Sequence, residues 1–276
     1  MPIFERSDAD LVRDVHPVRR IMPFVMPTRT ESAVLCREDV LAAAAKDFLR
    51  NFNADRPAHR HATLFHLVLR SLALCWHDRP RLNRFVAGGR YWQRRGVWVS
   101  FSGKKGMSDD APLFTAKRLF ARDETLAQMV DGIWDMQLLG RSNKETETDK
   151  EINLLLKLPP MLLKWFVKGG RWLNDHNLLP AKMIENDPLF ASMFVANLGS
   201  VGIDACYHHN YDYGTIPAFI AMGKLKMVPV VDASGSVVAA EIFELKYTYD
   251  ERTEDGFYAS RAIEAVKRRL EHPEEL

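Results

Sequence analysis

The sequence has few cysteines, no long apolar run and almost no net charge. Its three cysteines, Cys36, Cys75 and Cys206, lie far apart, which argues against a disulfide framework and against a C-x-x-C metal pair. Few and widely spaced cysteines are typical of proteins in a reducing compartment, so we expect a cytoplasmic protein. No apolar run reaches the roughly 18–20 residues of a spanning helix, and the polar start lacks a signal-peptide core. The 38 basic and 36 acidic residues nearly balance, and so small a net charge does not indicate nucleic acid as a partner.

The chain has 276 residues, of which 47% are hydrophobic, and can therefore fill one large core. We expect a single domain over residues 1–276, with an irregular N-terminal arm over 1–30. Thr63 is expected to cap a buried helix. Periodicity and turn residues predict helices over 38–53, 62–79, 123–140 and the C-terminal end, and strands over 31–37, 84–87, 91–101, 113–120, 192–198, 216–225, 227–231 and 236–249.

The most informative motif lies near the C-terminus, where residues 250–256 read D-E-R-T-E-D-G between an alternating strand and a helix. This motif resembles the D-H-R-x-x-D-G signature of the 2-oxoacid dehydrogenase acyltransferases, a family of the chloramphenicol acetyltransferase superfamily. Residues 197–204, N-L-G-S-V-G-I-D, resemble that family's S-N-L-G-x-x-G-x-D segment. Residues 79–83 resemble its F-P-E-L-N helix end, and the resemblance is collinear over residues 15–273.

The resemblance implies an α/β fold, a two-layer sandwich of the chloramphenicol acetyltransferase type with a mixed sheet and helices on one face. It also implies a homotrimer with the active site between subunits, an acyl-coenzyme A thioester as substrate, and a dehydrogenase complex as a candidate partner. No lipoyl-bearing domain is recognised in the sequence. We therefore expect a free-standing unit with no covalent lipoyl group, and the spacing of its histidines and carboxylates gives no metal site.

Two positions depart from the family pattern. The family histidine that removes the thiol proton is matched by Glu251. A free glutamate has a pKa of about 4.3 and a free thiol about 8.5, so unassisted proton transfer is uphill by about 5–6 kcal/mol. Burial can raise a glutamate pKa by up to about 3–5 units and close much of that gap. The family serine that donates to the oxyanion is matched by Ala196, and losing such a donor typically costs about 10²–10³ in rate. Asn197 and Ser200 are candidate substitutes.

The other motif residues match the family. The resemblance implies that Asp255 is structural and pairs with an arginine of the N-terminal region, since Arg19 and Arg20 resemble the family's early double arginine. Arg20 is the expected partner, with Arg19 as the second candidate. The remaining motif residues are expected to shape the site: Asp250, Arg252 and Gly256.

Two adjacent histidines, His208 and His209, lie near Asp212 in a tyrosine-rich segment. This pattern suggests a base with an orienting carboxylate. On a strand, adjacent residues point to opposite faces, so at most one imidazole would face a given site. The favoured interpretation is a polar aromatic loop at a subunit interface. If the protein is an enzyme, these histidines are the first choice for a relocated base.

Residues 141–190 form an apolar insert longer than the family usually carries. From Pro159 onward, Lys164, Lys168 and Arg171 share one helical face, while bulky apolar residues lie largely elsewhere, as in a basic amphipathic helix. Three interpretations remain: a cover for the core or trimer interface, a lid over an acyl pocket, and a contact with a membrane surface. The first is favoured and the last is the least favoured.

Two functional hypotheses follow from the sequence. The first is an acyltransferase-like protein that uses a coenzyme A thioester with an altered or relocated base. The second is a catalytically inactive homologue that acts as a binding, assembly or regulatory protein.

Overall fold

The computed structural model describes residues 5–104, 106, 110–111, 113–141 and 156–276. The strands are β1 (Ala9–Leu11), β2 (Ala33–Leu41), β3 (Arg84–Ala87), β4 (Arg90–Arg94), β5 (Val97–Lys104), β6 (Leu113–Phe120), β7 (Met193–Asn197), β8 (Ala218–Met222), β9 (Lys226–Val231) and β10 (Val237–Asp250). The helices are α1 (Pro17–Val25), α2 (Ala43–Phe52), α3 (Leu64–Asp78), α4 (Leu126–Arg141), α5 (Pro160–Asp175), α6 (Ala181–Asn186) and α7 (Gly256–Glu271). No helix among these residues is long and apolar enough to cross a membrane.

The main sheet is mixed. Its strand order is β2-β10-β8-β7-β5-β6, and β9 pairs with the first half of β10. The pairs β5–β7 and β7–β8 are parallel, whereas the others are antiparallel. The long strand β10, second in this order, ends at Asp250, where the motif 250–256 begins.

The helices α2, α3, α4 and α7 pack on one face of this sheet. Alternate residues of the central strands, such as Val97, Val99 and Phe101 of β5, share one core with α2, α3, α4 and α7. Residues of the opposite parity, including Phe194 of β7 and Phe219 of β8, form a separate cluster on the other face. This arrangement places α2, α3, α4 and α7 on one side of the sheet and the loop 203–217 on the other, together with α6, whose carbonyls at Ile184 and Glu185 accept from Lys117 of β6.

A second, three-stranded sheet of order β1-β4-β3 was not predicted. Strand β1 and helix α1 both lie in residues 1–30, so the prediction of an irregular arm is wrong there. Strand β1 is ordered because Ala9 to Leu11 pair with Arg94 to Trp92 of β4, and Ala9 packs on Phe85 and Trp92.

Most predicted elements are present, with two differences in extent. Glu38 and Asp39 were predicted to begin a helix but belong to β2, because the pairing of β2 with β10 continues to Leu41 opposite Ile242. The prediction of one strand over 91–101 is also wrong, because Gly96, with φ of +72°, separates β4 from β5. Residues 142–155, which belong to the predicted insert over 141–190, lie outside the described residues.

Candidate active site

The motif 250–256 is held in place by a buried ionic network. Asp250 is fully buried and accepts hydrogen bonds from Ser32 Oγ at 2.9 Å and from Arg252 Nε and Nη2 at 2.8 and 2.7 Å. Arg252 Nη1 donates to the carbonyls of Met26 and Pro27 at 3.0 and 3.2 Å. This Asp250–Arg252 network therefore ties the end of β10 to the segment that follows α1.

Glu251 is exposed at the tip of the turn. Its backbone N–H donates to the Ser32 carbonyl at 2.9 Å, and its own carbonyl accepts from Arg19 Nη1 at 3.4 Å. Within the described part of the chain, its carboxylate has neither a hydrogen bond nor an ion pair. The backbone of Glu251 is thus fixed on both sides, while its carboxylate is open to solvent or to a second subunit.

Asp255 caps α7 and pairs with an N-terminal arginine, as expected. Its Oδ1 accepts from the Tyr258 N–H at 2.8 Å, and its Oδ2 lies 3.2 Å from Arg19 Nη2. The Tyr258 N–H, followed by the positive charge of Arg19, lowers the pKa of Asp255. The prediction that Arg20 is the partner is wrong. Arg20 is exposed on another face of α1, whereas Arg19 is held towards the turn by the Tyr91 hydroxyl, which donates to the Arg19 carbonyl at 2.6 Å.

The two histidines lie in a loop rather than on a strand. Their rings stack on each other with centroids 4.7 Å apart, and the His208 ring also stacks on Phe219 at 3.9 Å. The expectation that only one imidazole could face a given site therefore does not apply. Asp212 does not orient either ring, because its Oδ1 accepts from the Arg29 N–H at 2.9 Å.

The histidine loop borders the motif turn. Asn210 Nδ2 and the Asp250 N–H both donate to the Pro217 carbonyl, at 3.4 and 2.8 Å. Across the described residues, no hydrogen bond or ion pair links either imidazole to Glu251 or Asp255. The structure thus joins the loop and the turn through hydrogen bonds to the Pro217 carbonyl but leaves their titratable side chains unconnected.

The oxyanion position of the family has no hydroxyl here. Ala196, near the end of β7, packs against the Phe194 and Phe219 cluster. Ser200 Oγ donates to the Asn197 carbonyl at 2.7 Å, and the Ser200 N–H donates to Asn197 Oδ1 at 3.1 Å. The Asn197 amide NH₂ has no partner within the described residues, so of the two substitutes Asn197 keeps a free donor and Ser200 does not.

Arg29 is a residue that sequence reasoning missed. Its guanidinium is buried, donates to the carbonyls of Tyr211, Asp212 and Val86, and lines a polar cavity of about 130 Å³ together with Arg252. Burial lowers its pKa to about 10. No motif marks Arg29. The only sequence signal is a charged residue between two threonines, Thr28 and Thr30.

The arrangement suits a coenzyme A thioester in part. A carboxylate that could accept a thiol proton is present at Glu251, and an amide donor is present at Asn197. An imidazole at the motif position and a hydroxyl at Ala196 are absent. In the part of the chain that the structure describes, no group of three or more metal-ligating side chains occurs.

Comparison with known proteins supports the fold and the family. A model for the family "2-oxoacid dehydrogenases acyltransferase (catalytic domain)" matches residues 187–276, which contain the turn, the histidine loop and β7. No curated protein matches the sequence.

Solved structures of acyltransferases have the same fold. A probable dihydrolipoamide acetyltransferase from Listeria monocytogenes has a TM-score of 0.63 at 14% identity, over 95% of each chain. The dihydrolipoamide acetyltransferase of Azotobacter vinelandii, in which the catalytic roles of a serine, a histidine and an asparagine were investigated, has 0.62 at 18%, over 94% of this chain and 92% of that one. A catalytic core of the 2-oxoacid dehydrogenase complex from Thermoplasma acidophilum has 0.58 at 17%, over 96% and 99%. The predicted fold class is confirmed, and the predicted resemblance to the family is confirmed over residues 187–276.

Proposed function

We propose that this chain, a divergent member of the 2-oxoacid dehydrogenase acyltransferase family, transfers an acyl group between coenzyme A and an acceptor thiol at the turn 250–256. One observation carries the proposal. The Asp250–Arg252 network fixes the backbone of the turn, while the carboxylate of Glu251, at the position of the family histidine, has no partner in the described part of the chain.

The residues present would divide the reaction between them. Glu251 would take the proton of the attacking thiol, so that the thiolate can add to the thioester carbonyl. The amide NH₂ of Asn197 would donate a hydrogen bond to the thioester carbonyl oxygen, which becomes negative when the thiolate adds. When the carbon–sulfur bond of the original thioester breaks, Glu251 would return its proton to the departing thiolate. All atoms are then accounted for, and Glu251 is restored.

Proton transfer to a carboxylate needs a site that excludes water. The gap of about 4 pKa units between a free thiol and a free glutamate closes only if the carboxylate is buried. Within a single chain Glu251 is exposed, and so is the apolar side chain of Phe257 that follows the turn at the start of α7, at 73%. A neighbouring subunit that covers Phe257 would also cover Glu251. We therefore propose a homotrimer with the site at its interface.

An acyltransferase assay tests the proposal. Purified protein is incubated with a series of acyl-coenzyme A thioesters and a dithiol acceptor, and free coenzyme A is measured with time. We expect transfer that Glu251→Gln lowers by about 10²–10⁴-fold, the usual contribution of a general base. Glu264→Gln, at an exposed position of α7 where the carboxylate pairs with Arg261, is the matched control and should leave the rate unchanged.

A gain of function provides the converse test. Glu251→His combined with Ala196→Ser restores both family groups, and we expect it to raise the rate because the Asp250–Arg252 network is retained.

His209→Ala tests the relocated-base hypothesis. If His209→Ala abolishes transfer while Glu251→Gln does not, the base is in the histidine loop and the role of Glu251 is refuted.

The second candidate is a silent relative that binds or assembles with other proteins. It is favoured by the loss of the hydroxyl at Ala196 together with the exposure of Glu251. If the native protein neither binds coenzyme A by calorimetry nor transfers any acyl group, while the Glu251→His, Ala196→Ser double variant does both, the scaffold is competent and the native chain is silent.

A further inference from the structure

Helix α5 and the residues before it have an unusual charge pattern. Residues 156–174 contain four basic side chains and no acidic one, in a chain whose 38 basic and 36 acidic residues are otherwise mixed. The basic residues are Lys157, Lys164, Lys168 and Arg171. This segment is therefore a local concentration of positive charge that the overall composition conceals.

The side chains of α5 divide into three faces. Asn174 is buried and Leu163 is half-buried, and these two residues lie about 20° apart around the helix, so they form the face that contacts the protein. At 100° per residue, Lys164, Lys168 and Arg171 form a second face, which is exposed. A third face, also exposed, carries the large apolar side chains of Met161, Leu162, Trp165, Phe166 and Trp172.

The helix is attached to the domain mainly by its C-terminal end. Arg6 Nη1 donates to the Asn174 side-chain and main-chain oxygens at 2.9 and 3.1 Å, and the Gly88 N–H donates to Asp175 Oδ1 at 3.1 Å. From Pro160 to Gly169 every side chain except that of Leu163 is exposed. The sequence-based preference for a cover over the core does not hold within one chain, because these turns contact almost none of it.

The exposed pair of faces fits one kind of partner best. Trp165 and Met161 remain 66% and 70% exposed beside lysines, and soluble proteins rarely leave such a contiguous apolar surface in water. Lysine ammonium groups next to tryptophan rings are typical of helices that lie in the interface of a bilayer. A contact of α5 with α5 of a second copy would place like charges together. Anionic phospholipid headgroups would instead pair with the lysines, while the acyl region would take up the aromatic rings.

We propose that α5 binds the surface of a membrane containing anionic phospholipids, with its axis in the plane of the bilayer. Met161, Trp165 and Trp172 enter the boundary between headgroups and acyl chains, and Lys164 and Lys168 contact the phosphates. This reverses the sequence-based ranking of the three interpretations of the insert, in which the membrane surface came last. It is independent of the proposed acyl transfer.

Co-sedimentation with vesicles tests the proposal. One set of vesicles is pure phosphatidylcholine, and the other contains phosphatidylglycerol as well. We expect the protein to sediment with the second set only, and less so as salt is raised. Lys164→Glu with Lys168→Glu should weaken binding at least about 20-fold, since each basic residue near an anionic surface contributes about fivefold. Trp165→Ala with Trp172→Ala should weaken binding about tenfold and keep its dependence on salt.

A matched control separates a local effect from a general loss of positive charge. Arg50→Glu with Lys224→Glu makes the same change in net charge at exposed positions outside α5, and we expect binding within about twofold of native. Circular dichroism confirms that each variant is folded. Three results would overturn the proposal: no binding of the native protein to the phosphatidylglycerol vesicles, an equal loss in the control, or a lower particle mass of the α5 variants in light scattering. The last would place α5 between copies of the chain.

Discussion

The imidazole at the start of α3 makes the stability of this protein depend on pH. The Thr63 N–H donates to His66 Nδ1 at 3.1 Å, and the Thr63 hydroxyl lies 2.9 Å from the same nitrogen. Because a backbone N–H can only donate, Nδ1 must be unprotonated in the folded state. The other nitrogen, Nε2, is buried without a hydrogen-bond partner among the described residues. Burial, with a smaller effect of Arg56, lowers the pKa of His66 to about 4.

The size and sign of the effect follow from this pKa. Above pH 6.5, the usual histidine pKa, both folded and unfolded states carry neutral His66, and its contribution to stability is complete. Between pH 6.5 and 4 the unfolded chain binds a proton that the folded chain does not, so stability falls as the pH falls. Between pH 7 and pH 5 the expected loss in the free energy of unfolding is about 2 kcal/mol, and it reaches about 3 kcal/mol near pH 4.

Urea unfolding of a matched pair of proteins measures this loss. Glutamine at the same position can also accept from the Thr63 N–H, as in the usual capping box, but does not titrate. His66→Gln should therefore lose about 2 kcal/mol less than the native protein between pH 7 and pH 5, whatever its absolute stability. Other groups titrate equally in both proteins and cancel in the difference. If the two proteins lose the same free energy over this range, then His66 is not held neutral by the cap and the reasoning is refuted.

Three substitutions test other parts of the structure by the same unfolding assay. Asp250→Asn removes the charge that pairs with buried Arg252 and should cost about 3–5 kcal/mol; a cost under about 1 kcal/mol would mean that the network is not a buried ion pair. Gly169→Ala adds a methyl group at a position with no described atom within 4 Å and should raise stability by about 0.5–1 kcal/mol, as helix propensity predicts. Gly88→Ala should instead destabilise the protein, because φ is +56° and the new Cβ would lie 2.2 Å from the Asp175 carbonyl oxygen. A neutral result there would show that the turn and α5 separate freely.

The parts of the fold that the sequence predicts best are those with local signals. Thr63 before an apolar run marks the start of α3, and the motif 250–256 lies between β10 and α7 as expected. Strand β1 could not be predicted, because its three residues are ordered only by pairing with β4. Glu38 and Asp39 show the same effect in reverse, since good helix-start residues are held in a strand by their partner β10.

The candidate site was predictable in its motif but not in its contacts. Family resemblance indicates an arginine partner for Asp255, yet it cannot choose between Arg19 and Arg20, which point in directions about 100° apart on a helix. That choice depends on Tyr91, which is distant in sequence and holds the Arg19 carbonyl. Likewise, the stacking of His208 on Phe219 depends on a loop conformation that carries no periodic signal.

The residues of the candidate site bear differently on whether the protein is an enzyme. Asp250 and Arg252 hold the segment after α1 to the end of β10, so their presence is explained by folding stability alone and does not favour catalysis. Glu251 and Asn197 are different, because the side-chain groups assigned to catalysis, the carboxylate and the amide NH₂, make no hydrogen bond among the described residues. Substitutions at such surface positions usually change stability by less than about 0.5 kcal/mol. A change in acyl transfer on replacing Glu251 therefore reports on chemistry rather than on folding, which makes this exposed carboxylate the position at which the two functional hypotheses separate.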